Sequence, residues 1–89
     1  MTAAARETLL LLGRPGCELC EEMQAELHGH PGFAGIELQH ADVDSRPDWQ
    51  RRYGLRIPVL LDRWNEVVCE GRLDAEAFAD WCRAAARPS

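Results

Sequence analysis

Leu9-Leu10-Leu11-Leu12-Gly13-Arg14-Pro15-Gly16-Cys17-Glu18-Leu19-Cys20 runs from an unbroken apolar tetrad, through turn residues, to two cysteines three positions apart. Thr8 to Leu12 suits a central strand covered on both faces. Gly13 to Gly16 is turn chemistry. From Cys17 to about His28, Cys20, Met23 and Leu27 recur at helical spacing, with Glu18, Glu21, Glu22 and Glu26 toward solvent. The early glutamates suit a helix N-terminus. Two cysteines at that start occupy neighbouring positions of the first turn, compatible with the short Cα separation a disulfide needs. The helix end places roughly half a positive charge beside the first sulfur, which favours thiolate over thiol. A strand that delivers a dithiol to a helix N-terminus is a place to make and break disulfides. The other use of this spacing is half of a zinc site, which requires a second pair of ligands.

Outward from this stretch, Gly29 to Gly35 ends the helix and forms a loop. Ile36 to Val43 opens with Ile36 and Leu38 alternating against Glu37 and Gln39, the pattern of a strand with one wetter face. Strand, helix and strand make a βαβ unit, expected to be parallel with a right-handed crossover. Asp44 or Ser45 is positioned to cap a short helix from Pro47 to Tyr53, which Gly54 stops. Trp49 and Tyr53, one turn apart in it, are expected to pack. Pro58–Leu61 and Glu66–Glu70 are short apolar runs joined by Asp62-Arg63-Trp64-Asn65, a hairpin signal. Asp74 is a good N-cap for a last helix carrying Phe78, Trp81, Cys82 and Ala85 on one face. The order is βαβ, short helix, ββα. It specifies one α/β domain over residues 1–89, with an ordered core from about 8 to 87.

The chain has 89 residues, 46% of them hydrophobic and 28% charged, with a formal net charge of −5. These are proportions of an ordinary globular domain with a modest core. Acidic balance without a basic block argues against nucleic acid and anionic membranes as partners. All ten basic residues are arginine, so lysine chemistry is excluded. No stretch approaches the ~20 apolar residues of a membrane span, and Met1–Glu7 lacks the pattern of a secretory leader. A cytoplasmic protein is the expectation, in which a close dithiol is catalytic or metal-binding and not a structural staple. With no apolar stretch left over for an interface, a monomer is expected.

This order, with the dithiol after the first strand, resembles the thioredoxin fold and, within it, the glutaredoxin-like family, over residues from Thr8 to about Arg87. Arg14-Pro15-Gly16-Cys17-Glu18-Leu19-Cys20 resembles the glutaredoxin motif, with a basic residue three before the first cysteine. Arg56-Ile57-Pro58-Val59 matches the segment that carries a cis-proline opposite the dithiol. Gly71-Arg72-Leu73-Asp74 resembles the second half of the Gly-Gly-x-x-Asp glutathione-binding stretch. The chain departs from the family in two places. Glu18-Leu19 fills the gap between the cysteines, where Pro-Tyr or Gly-Pro is usual. Glu70 replaces the first glycine of the glutathione stretch, placing an anion where an anionic tripeptide would approach.

The resemblance implies a dithiol–disulfide oxidoreductase in a four-stranded mixed sheet flanked by helices. Cys17, at the helix start, is the expected nucleophile, with Arg14 adding positive potential. Cys20, on the face of Met23 and Leu27, is the expected resolving thiol and the more buried sulfur. The resemblance makes the Ile57–Pro58 bond cis and sets the Ile57 backbone against an extended peptide or peptide-like thiol. It also implies Arg56, Gly71 and Asp74 as contacts to glutathione, as co-substrate and not resident cofactor. The implied partners are a disulfide-containing protein or glutathione, and a reductant such as glutathione or a thioredoxin-type reductase. Cys82, beside Phe78 and Trp81, and Cys69, alternating with Val67, are expected to be structural. Trp64 at the hairpin tip is expected to cover the sheet edge. His28, His30 and His40 form no metal-ligand spacing. Two other classes remain open: a metal or iron–sulfur binder using Cys17 and Cys20 from two chains, and a redox-inactive adaptor.

Overall fold

In the computed structural model, which describes residues 7–86, the leucine tetrad lies in a seven-residue strand, β1 (Glu7–Gly13). Leu9 and Leu11 turn to one face of the sheet and Leu12 to the other, and all three are buried. Burial on both faces is why the run is continuously apolar instead of alternating. β2 (Ile36–Asp42) pairs with β1 in parallel, from Glu7 opposite Ile36 to Gly13 opposite Asp42. β3 (Val59–Leu61) runs antiparallel on the other side of β1, and β4 (Val67–Glu70) antiparallel to β3. The sheet order is β2-β1-β3-β4, so the dithiol strand is internal.

The helices α1 (Glu18–Gly29), α2 (Pro47–Tyr53) and α3 (Ala75–Ala86) cover both faces. Met23 and Leu27 of α1 and Phe78 of α3 join Leu9, Leu11, Leu60 and Cys69 in one core cluster. Tyr53 of α2 joins Leu12, Val43, Val59 and Leu61 in the other, with Trp49 packed against it. Burying a side chain of the size of Phe78 contributes about 1.5–3 kcal/mol. Asp74 caps α3 as its sequence position predicts, its carboxylate accepting from the Glu76 and Ala77 amides at 3.1 and 3.0 Å. The expected ordered end at Arg87 lies outside the described residues.

Four local expectations give way. Val43 leaves β2 for a 3-10 turn (Val43–Ser45) that Asp42 caps by accepting from the Asp44 amide at 2.8 Å. Consequently neither Asp44 nor Ser45 caps α2, whose N-cap is Arg46 with no side-chain bond. A register shift between Leu60 and Leu61 places Val68 as the extra residue of β4, so Val67 is exposed while Val68 and Cys69 meet the core. Trp64 is 61% exposed, under the Arg63 guanidinium at 4.3 Å, and does not cover the sheet edge. Asp62 instead shapes this hairpin, its buried carboxylate accepting from the Trp64 and Glu66 amides at 2.9 and 3.0 Å.

Candidate active site

The chain leaves β1 at Gly13 and turns through Arg14-Pro15-Gly16-Cys17. Pro15 occupies the second position, Gly16 has φ +77°, and the Cys17 amide donates to the Arg14 carbonyl at 3.2 Å. This is the residue pattern of a type II turn, in which the third position demands positive φ. The turn sets Cys17 as the N-cap of α1. Its sulfur accepts from the Cys20 amide at 3.2 Å and its carbonyl from the Glu21 amide at 3.1 Å. A cap residue satisfies amides that a helix start leaves unpaired, and here the cap atom is the sulfur itself.

Cys17 and Cys20 form a disulfide pair with Cα atoms 5.2 Å apart. Both are half-buried, so burial alone does not rank them. Their surroundings do. Cys17 terminates the helix at the turn, whereas Cys20 is pressed against the end of β1. A Cβ placed on Gly13 would lie 2.8 Å from the Cys20 sulfur and 3.2 Å from its Cβ. Only glycine leaves room there. This requirement was hidden in the sequence, where Gly13 reads simply as the first turn residue.

Arg14 is held in a tether. It forks onto the Asp44 carboxylate at 2.7 and 2.9 Å and donates to the Gly54 carbonyl at 2.8 Å. Gln50 adds a bond to the same carboxylate at 3.2 Å. The hydrogen bonds from Arg14 hold the Asp44 carboxyl below the usual carboxylate range. Because the pair is half-exposed, its main consequence is geometric: it joins the dithiol turn to the segment leading to Pro58.

On that side the Ile57–Pro58 peptide is cis. The Pro58 carbonyl accepts from the Gly71 amide at 2.8 Å, and Gly71 has φ +75°. Arg56 forks onto Glu70 at 2.5 and 2.7 Å and lies over the Tyr53 ring at 5.4 Å. These bonds hold the Glu70 carboxyl down in turn. Thus Arg56, Ile57, Pro58 and Gly71 form one neighbourhood, with Glu70 in its midst. Cys17, Cys20 and Arg14 form another, joined to it through Gly54. Asp74 serves the start of α3. Leu55, between Gly54 and Arg56 in the chain, is fully exposed.

A cleft of about 360 Å³ opens beside the dithiol, lined among others by Gly13, Arg14, Cys17, Cys20, Gln24 and His40. His40 reaches it from β2. The Asp44 partner of Arg14 and the His40 wall are both twenty or more residues from the dithiol, and no local pattern links them to it. Cys69 is buried, which pushes its thiol pKa up. The Cys82 thiol donates to the Gly32 carbonyl at 3.4 Å. Neither cysteine joins a disulfide among the described residues. His30 accepts from the Gly32 amide at 2.9 Å and meets Phe78 edge-on, a packing role. Among the described residues no three His, Cys, Asp or Glu side chains cluster as a metal-ligand set, and no helix is long and apolar enough to cross a membrane.

A four-stranded mixed sheet with helices on both faces and a Cys-x-x-Cys pair at the first helix N-terminus defines a thioredoxin-like protein. The chain belongs to the Glutaredoxin-like domain (DUF836) family, whose profile matches residues 8–83. It is similar in structure to protein Ne2328 from Nitrosomonas europaea, solved by solution NMR. That likeness has 29% identity and a TM-score of 0.78 over 91% of this chain and 96% of that one. It is also similar to the X-ray structure of protein XcR50 from X. campestris, with 29% identity and a TM-score of 0.67 over 90% and 99% of the two chains. A search of curated proteins returns no match.

Proposed function

We propose that this chain is a dithiol–disulfide oxidoreductase acting on protein disulfides or glutathione mixed disulfides. The observation that carries the reading is the Cys17 sulfur serving as helix cap with Cys20 at bonding distance beside an open cleft. In the reduced state the Cys20 amide and the helix end favour negative charge on Cys17. The Cys17 thiolate attacks one sulfur of the substrate disulfide, forming a mixed disulfide and releasing the first substrate thiolate. Cys20, as thiolate, then attacks the Cys17 sulfur. The Cys17–Cys20 bond forms, the second substrate thiolate leaves, and two electrons have passed to the substrate. Glutathione or a thioredoxin-type reductase returns the pair to the dithiol. A midpoint between roughly −270 and −180 mV is expected, the span of thioredoxin, glutaredoxins and protein disulfide isomerase.

Ile57 and Pro58 present backbone to an extended substrate, with Gly71 holding the Pro58 carbonyl. Arg14 fixes the dithiol turn through Asp44 and Gly54. Arg56 and Asp74 are proposed as glutathione contacts, with Glu70 competing for Arg56. The protein is proposed to act in the cytoplasm as a monomer. Turnover of a disulfide substrate by the parent and by Cys17→Ser and Cys20→Ser variants tests the reading. Cys17→Ser is expected to be inactive, and Cys20→Ser to accumulate a mixed disulfide at Cys17 detectable by mass. Equal activity of parent and both variants would refute it.

A further inference from the structure

The reaction proposed above leaves one proton without an acceptor. Cys20 must lose its thiol hydrogen before it can attack the Cys17 mixed disulfide, and an ordinary thiol titrates near about 8.5. At neutral pH only a few per cent of such a thiol is ionised, so a nearby base sets the rate of the second step.

The cleft beside Cys20 contains one. His40 stands opposite Leu11 in the parallel register of β1 and β2. Parallel partners share a face, and Leu11 packs with Met23 and Leu27 of α1. Leu38, two residues earlier on β2, packs against the same cluster. His40 therefore continues the α1-facing row of β2 toward the carboxyl end of the strand, where α1 begins and Cys20 lies. It lines the cleft together with Cys20, and it is solvent-exposed. One edge of the imidazole can thus face the cleft while the proton is exchanged with bulk water.

The other charged groups facing this cleft are less suited. Arg14, from the turn after β1, is a cation and is engaged by Asp44 and the Gly54 carbonyl. Asp42, from β2, already accepts from the Asp44 amide. Glu21, from α1, and Asp42 are carboxylates, weaker bases than an imidazole, the side chain most often used as a general base. Gln24 is neutral and Cys17 is spent in the mixed disulfide.

We propose that His40 is the general base for Cys20. Directly or through one water, its neutral imidazole takes the Cys20 proton as the Cys20 sulfur bonds to the Cys17 sulfur and the substrate thiolate departs. The imidazolium then returns the proton to that thiolate or to solvent, leaving His40 neutral. No oxidant beyond the substrate disulfide is needed. The inference rests on the oxidoreductase reading, and its test separates the two.

Stopped-flow mixing of the fully reduced protein with one equivalent of aromatic disulfide resolves the steps. One coloured thiolate appears when Cys17 attacks, and a second when Cys20 closes the ring. In His40→Gln the second phase is expected to slow about a hundredfold at pH 7, at the lower end of general-base contributions. The deficit is expected to vanish above about pH 9, where thiols ionise unaided. Added imidazole is expected to restore the second phase in His40→Ala. A second phase unchanged in His40→Gln, or slowed equally at every pH, would overturn the role of His40 while leaving the oxidoreductase reading intact. Absence of the first phase in the parent protein would overturn the oxidoreductase reading and the His40 inference with it.

Discussion

Gly13→Ala tests how tightly the end of β1 supports the dithiol. The new methyl would sit 2.8 Å from the Cys20 sulfur and 3.2 Å from its Cβ. Non-bonded heavy atoms settle at about 3.5–4.0 Å, so the sulfur or the strand must yield by about 0.7 Å. Overpacking of this kind costs about 1–3 kcal/mol. For a domain of this size each kcal/mol lowers Tm by about 4–8 °C, which gives a fall of about 4–24 °C. The cost should be unequal between redox states. In the oxidised protein the bond to Cys17 holds the Cys20 sulfur in place, whereas the reduced side chain can rotate away from the methyl. If the whole cost falls on the oxidised form, the midpoint becomes less negative by about 20–65 mV. Circular-dichroism melts of both redox states and equilibration in glutathione buffers read the two effects. Gly29→Ala is the control: a Cβ there meets nothing within 4 Å, and alanine in a helix is favoured over glycine by up to about 1 kcal/mol. An oxidised Gly13→Ala protein that melts and titrates like the parent would refute this account of the strand end.

Phe78→Ala removes the largest fully buried side chain and should cost about 3–5 kcal/mol in chemical denaturation, with an unchanged denaturant slope. Asp74→Ala should destabilise by about 1 kcal/mol through loss of two amide contacts, and Asp74→Asn should retain most of that cap. If turnover of a glutathione disulfide falls further in Asp74→Asn than stability does, the residue also contacts substrate. The Asp44 and Glu70 carboxyls are held below their usual range by Arg14 and Arg56. A depressed carboxyl contributes stability above the ordinary carboxylate range and loses it as pH falls through its folded value. Asp44→Asn should therefore melt below the parent at pH 7, with the gap closing as the pH is lowered past about 4; a gap constant with pH would count against the ion pair.

Much of this architecture was legible in local pattern. The continuous Leu9–Leu12 run marked a strand covered on both faces, and Met23, Leu27 and Phe78 cover one face while Tyr53 covers the other. Helical spacing in Met23 and Leu27, the Asp74 cap and the Asp62–Asn65 turn are each satisfied by groups a few residues away. A short motif records such features fully. Pairing Cys17 with Cys20 is of this kind, because one helical turn brings their Cα atoms within 5.2 Å.

What failed locally failed because a distant group competed. Asp44 reads as a helix cap until Arg14, thirty positions away, takes its carboxylate. Cys69 reads as alternating with Val67 until a bulge opposite β3 breaks the period. Residue order and composition alone thus determined the strand–helix plan, the turn before Cys17 and the position of the dithiol, since these follow from the chain's own period and φ preferences. The tertiary structure alone decided that Gly13 must be bare against Cys20, that Arg14 and Arg56 are bound by Asp44 and Glu70, and that His40 shares the dithiol cleft. Those facts depend on strand register and helix docking, which set distances between residues that no local spacing encodes.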